Sequence, residues 1–154
     1  MAKELPSRVV GIDYGLARLG LALSDERKII ASPMATLIAE KKTESTAEKV
    51  IQELERHAKE NHYQIERIVV GLPLLMSGKK GFFADETQHF IELLRQHTTI
   101  PVVPWDERLS SVQADRSLRE GNLSRKRRSQ AVDSVAAIII LQSYLDTQSI
   151  QRAV

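Results

Sequence analysis

Cysteine is absent from this chain of 154 residues. That removes disulfide frameworks and thiolate metal sites, zinc fingers among them, and it suits a cytoplasmic location. Long apolar runs are missing as well. The strongest, Val135 to Leu141, falls far short of the roughly 20 residues a membrane-spanning helix needs, and Met1 to Ser7 has no apolar centre of the signal-peptide kind. A soluble protein with no membrane partner is expected. Net charge is nearly absent too, at +2, so its distribution matters more than its sum. Repeats, linkers and low-complexity segments are not found. One domain over 1–154 is expected, with 1–7 and 147–154 as frayed tails. A chain of this length buries about 68–70% of its unfolded surface in a single core.

What is present is one sharply placed acid. Val9 to Ile12 reads as a strand buried on both faces and Leu21 to Leu23 as a second, so the segment from Gly15 to Gly20 must turn the chain back as a hairpin. Asp13 stands at the end of the first strand. A carboxylate buried without a partner is costly, whereas at the rim of a sheet it meets water or a cation. Asp13 is therefore a candidate metal ligand, and a turn former beside Gly15 is the bland alternative.

Ile29 to Pro33 offers a third strand, stopped by the proline. From Ser45 to His62 apolar residues recur at helical spacing, with Ser45 and Glu48 as a capping box. Ile65 to Leu72 follows as a parallel strand, then a glycine-rich loop to Gly81. A helix from Ala84 to His97 places Phe90, Ile91 and Leu94 inward, and Ile100 to Trp105 makes an edge strand with two prolines. Beyond lie a helix over Ser110 to Glu120, a basic loop over Gly121 to Ser129, and a helix from Ala131 to Asp146 with Val135, Ile138, Ile139 and Leu141 inside. The pattern is α/β: a mixed five-stranded sheet, three antiparallel strands and then alternating helix and strand, flanked by helices.

Acids fall at the ends of three of these elements: Asp13, the pair Asp106 and Glu107, and Asp133 in the first turn of the last helix. Strand C-termini and helix N-termini can converge on one rim. An all-oxygen cluster there suits Mg²⁺ or Mn²⁺ and phosphodiester hydrolysis. Each acid alone also has an ordinary reading: Asp133 complements a helix dipole, and Asp106 and Glu107 form a solvated turn with Arg108. Arg125, Lys126, Arg127 and Arg128 make the one dense positive run, with Arg116 and Arg119 ahead of it, and phosphate contact or a solvated loop are its two readings. Arg18, Lys79 and Lys80 are lesser phosphate-binding candidates. His57, His62, His89 and His97 lack metal spacing and read as surface residues. Tyr14 and Trp105 are placed either to stack on a base or to pack.

Four motifs in order resemble the YqgF/RuvX family: Gly11-Ile12-Asp13-Tyr14-Gly15 with Arg18 and Gly20, Val69 to Pro73, Asp106 to Ser111, and Val132 to Ala137 with Ile140, Leu141, Tyr144 and Leu145. The match runs from Arg8 to Leu145. The resemblance implies a ribonuclease H-like fold and an activity in Holliday junction resolution or in 5′-end maturation of pre-16S ribosomal RNA. It also implies Asp13, Glu107 and Asp133 as catalytic, metal-holding carboxylates, preferring Glu107 to Asp106. Ser77 departs from the family loop, which commonly carries an acid there, and Ser111 stands where threonine is frequent. The expected function is a metal-dependent endonuclease, cytoplasmic, monomeric or homodimeric, whose partner is nucleic acid. Precursor rRNA is favoured. The alternatives are branched DNA, or a non-catalytic nucleic-acid-binding or transcription-associated role.

Overall fold

The β-branched run that ends in Asp13 forms β1 (Ser7–Asp13), and β2 (Arg18–Ser24) returns antiparallel to it with Asp13 opposite Gly20. The structure is a computed structural model that describes residues 4–74, 77–109 and 125–153, except the side chains of 125–134 and 152–153. β3 (Ala31–Ile38) pairs antiparallel with β2. It differs from the expected Ile29–Pro33. Ile29 and Ile30 stay outside the strand because their N–H groups donate to Asp25 Oδ1 at 2.7 and 3.0 Å, fixing them in the turn. Pro33 lies within the strand, which is tolerated because β3 is the sheet edge and the register shifts beside it.

Helix α1 (Thr43–Glu60) buries Ala47, Val50, Ile51 and Leu54 on one stripe. Ser45 and Glu48 make no capping box, since the helix starts two residues before Ser45 and its N-cap is Lys42. β4 (Gln64–Leu72) runs parallel to β1, α2 (Phe82–His97) buries Phe90, Ile91 and Leu94, and β5 (Val102–Asp106) runs parallel to β4. The sheet order β3-β2-β1-β4-β5 puts the proline-bearing β5 at the other edge. The mixed five-stranded sheet is thus as expected.

The last helix, α3 (Arg125–Ala153), is longer at both ends than its periodicity suggested. Residues 125–129, expected in a loop, and 147–153, expected to fray, are helical, so position 133 falls in the third turn of the helix and not in its first. Its buried face also differs: Ala136, Ala137, Ile140, Leu141, Tyr144 and Leu145 are buried, while Val135, Ile138 and Ile139 are half-buried. The run from Val135 to Leu141 is apolar all round, so hydrophobicity could not set its phase. Small residues do: Ala136 and Ala137 let the helix approach the sheet. The expected helix over Ser110 to Glu120 lies outside the described residues.

Alternation along the strands divides the core into two layers. Val10, Ile12, Ile68 and Val70 face α1 and α2, and Val9 and Val69 face α3. Gly11 also lies on the α3 side, where a Cβ would stand 2.6 Å from Leu141 Cβ, so only glycine admits the helix at that distance. Among the described residues no helix is long and apolar enough to cross a membrane.

Candidate active site

The same alternation decides where the acids go. Val9, Gly11 and Asp13 fall on the α3 side of β1, Val69 and Gly71 on the α3 side of β4, and Val103 and Trp105 on the α3 side of β5. Asp13 ends β1 on that face, buried to 3% exposure. Glu107 opens a 3-10 turn (Glu107–Leu109) directly after β5 and is 2% exposed. Its Oε1 lies 3.1 Å from the point where a Cβ on Gly71 would stand. β4 separates β1 from β5, which places those two strands about 10 Å apart. Because β4 carries a glycine at this level, Ile140 of α3 packs over it with the Glu107 carboxylate alongside, on the face and at the strand ends where Asp13 lies.

Asp106 is differently placed. It accepts from Arg108 Nε at 3.1 Å on Oδ1 and from Arg108 Nη2 at 2.7 Å on Oδ2, and it also accepts the Arg108 backbone N–H at 2.9 Å. The Arg108 side chain, chiefly, holds the Asp106 carboxyl below the usual carboxylate range. The adjacent acids therefore have separate surroundings, one buried over Gly71 and one in a half-exposed ion pair.

Position 133 lies in α3, four residues before Ala137, and its side chain is outside those described. Leu141 packs over Gly11, and Tyr144 and Leu145 line a small cavity with Val9. Toward its N-terminus α3 thus travels in the direction of Asp13. Among the described residues no three His, Cys, Asp or Glu side chains form a group able to hold a metal ion.

Ser143 on α3 escaped the sequence reading. Its Oγ accepts from Trp105 Nε1 at 3.0 Å and donates to the Leu109 carbonyl at 3.1 Å. One hydroxyl thus ties α3 to the residues on both sides of Glu107. No pattern of residue types signals it, because a serine on a helix is common and the partners are 38 and 34 residues away.

Of the two aromatics weighed for stacking, Tyr14 is a core residue, 4.3 Å centroid to centroid from Phe90, and burial raises its hydroxyl pKa. Trp105 packs edge-on to Tyr144 at 5.5 Å. Arg18 begins β2 half-buried, and Lys79 and Lys80 are exposed. Arg116 and Arg119 lie outside the described residues. Arg125, Lys126, Arg127 and Arg128 form the start of α3, their side chains outside those described. His62 and His89 are exposed and His57 Nδ1 lies 2.8 Å from the Tyr63 hydroxyl.

The profile of a family described as "RuvX: Holliday junction resolvase" matches residues 7–147. A protein of Protochlamydia amoebophila named "Putative pre-16S rRNA nuclease" is 56% identical over 146 residues, 95% of this chain and 97% of its own. One of the same name from Halothermothrix orenii is 42% identical over 142 residues, 92% and 96% of the two chains. The structure of T. thermophilus RuvC in complex with a Holliday junction substrate is similar, with a TM-score of 0.55 at 14% identity over 93% of this chain and 96% of that one. That likeness is one of fold, the ribonuclease H-like arrangement of a mixed sheet with helices on both faces. Matched over nearly its whole length in sequence, this chain belongs to the RuvX family.

Proposed function

We propose that the protein is a divalent-metal-dependent endonuclease that cuts precursor 16S rRNA in the cytoplasm, with Asp13, Glu107 and Asp133 as its catalytic, metal-holding carboxylates. One observation carries the reading: two buried acids, Asp13 at the end of β1 and Glu107 directly after β5, lie on one face at the same strand ends, with Glu107 beside Gly71 of the strand between them. The helix bearing Asp133 covers that face. Carboxylate oxygens without sulfur or imidazole fit a hard cation such as Mg²⁺ or Mn²⁺. Such an ion, when bound, supplies an activated water and stabilises charge on the leaving oxygen.

The protein's own residues then have defined work. Asp13 and Glu107 present acceptors from rigid strand ends, and burial keeps competing water away. The exposed Lys79 and Lys80, with Arg18, Arg116, Arg119 and the run Arg125 to Arg128, offer cations to the substrate backbone. Attack by water at phosphorus expels the 3′ oxygen and leaves a 5′-phosphate and a 3′-hydroxyl, with no covalent protein intermediate. The second reading, cleavage of a four-way DNA junction, follows the family's description and uses the same acids.

The test is incubation of the purified protein with precursor 16S rRNA and, separately, with a four-way DNA junction, with Mg²⁺ or Mn²⁺ and with excess chelator. Metal-dependent cutting of the rRNA precursor is expected. Asp13→Asn, Glu107→Gln and Asp133→Asn should each abolish it while the protein stays folded, and Asp106→Asn should be much milder. Undiminished cutting in chelator, or a 2′,3′-cyclic phosphate product, refutes the mechanism.

A further inference from the structure

Four of the large exposed apolar side chains stand at the acid end of the sheet. They are Leu16 in the β1–β2 turn, Ile38 at the end of β3 opposite Arg18, Phe82 at the start of α2, and Leu109 beside Glu107. Phe82, at 74%, is the most exposed large apolar residue among those described. A single exposed phenylalanine is ordinary on a protein surface. This one is distinguished by what holds it and what surrounds it.

Its neighbour Phe83 turns inward and stacks 6.2 Å from Tyr14, the residue after Asp13. Phe82 therefore stands on a helix end fastened to the acid-bearing strand. The loop leading into it is fastened on the other side: Gly78, at φ +86°, packs against the Arg108 guanidinium, 3.3 Å from Nη1 to the position of an added Cβ, and Arg108 follows Glu107. Between these two anchors the chain exposes Lys79 and Lys80. An aromatic face and two cations are thus displayed together at the rim where the acids lie.

That combination matches one ligand chemistry. Lysines meet phosphate oxygens, and an exposed ring offers a flat apolar surface to a base. In a duplex the base faces are covered by their neighbours, and only edges and backbone are presented. An unpaired base has its face available. We propose that Phe82 stacks on an unpaired nucleobase of the substrate while Lys79 and Lys80 engage the adjoining phosphates, so that the site takes a single-stranded or locally opened segment in preference to duplex. This rests on the nucleic-acid reading above but not on the cleavage mechanism.

Binding without cutting tests it. Fluorescently labelled single-stranded RNA and the duplex of the same sequence are titrated with the full chain in excess chelator, using wild type, Phe82→Ala, Phe82→Leu and Phe82→Trp. Loss of one base stack should weaken single-strand binding by roughly tenfold or more in Phe82→Ala. Phe82→Leu should recover little of it, Phe82→Trp most of it, and duplex binding should stay the same in all four. Thermal melting should be unchanged, since the ring is exposed. Equal single-strand binding by Phe82→Ala and wild type, equal weakening of single strand and duplex, or full recovery by leucine would each overturn the stacking role. Wild type that binds neither RNA would overturn the nucleic-acid reading itself.

Discussion

Replacing Gly71 by alanine adds one methyl at the centre of the proposed site, and the structure states what that methyl meets. It would fall on Ile140 Cδ1, 3.0 Å from Ile140 Cγ1 and 3.1 Å from Glu107 Oε1. The first contact is with the end of a fully buried side chain on α3, and the usual cost of overpacking is about 1–3 kcal/mol. For a chain of this size that corresponds to a fall in Tm of roughly 3–10 °C. The second contact is closer than an added carbon normally tolerates, so the Glu107 carboxylate must yield. Misplacement of a catalytic group by about 1 Å can cost 100-fold in rate. A smaller displacement should still lower kcat by roughly tenfold. Ile140→Val removes Cδ1 and separates the two effects. In the double variant Gly71→Ala with Ile140→Val, part of the stability should return while the loss in kcat remains. Melting curves and single-turnover cleavage of precursor rRNA measure both. Unchanged kcat in Gly71→Ala alongside a lowered Tm would show that Glu107 does not act where it lies.

Two further outcomes are expected. Ser143→Ala releases the Leu109 carbonyl and Trp105 Nε1 from α3; kcat should fall severalfold with KM nearly constant and threonine should partly restore it, whereas a wild-type-like kcat with a lowered Tm would mark the hydroxyl as merely structural. Arg125→Gln with Arg127→Gln should flatten the dependence of log K on log salt by about 0.7 per lost phosphate contact on single-stranded RNA; an unchanged slope in binding titrations would make this part of α3 a solvated surface.

The sheet was legible because each strand carries its own signal. The β-branched runs at Val9 and Ile68 mark central strands, the prolines at 101 and 104 mark an edge, and helix-then-strand alternation implies parallel pairing. Where a local rule met a longer-range competitor it failed. Pro33 did not end β3, because an edge strand with a register shift has no need of that N–H. The capping box at Ser45 and Glu48 was displaced by an earlier helix start. The phase of α3 was hidden by a run apolar on every side, and it was set by Ala136, Ala137 and the glycine opposite them.

The candidate site shows the same division. That Asp13 ends a strand is local information and was readable. The difference between Asp106 and Glu107 is not, because adjacent acids are equivalent in composition and spacing. It emerges only when β5 is paired with β4: the register Gly71 to Trp105 carries the α3-facing side forward to Glu107, and Arg108 folds back to claim Asp106. Gly71 is the residue that joins the two levels. In the sequence it is one glycine at the end of an apolar strand, consistent with a turn. In the fold it is where Ile140 packs down from α3 with the Glu107 carboxylate alongside, and Gly11 on β1 lets the same helix lie against that face. Asp13 and Glu107, far apart in the chain, lie on one face at the same strand ends, where one position on β1 and one on β4 have no side chain. The strands' glycines, as much as their carboxylates, therefore determine whether this fold can hold the site.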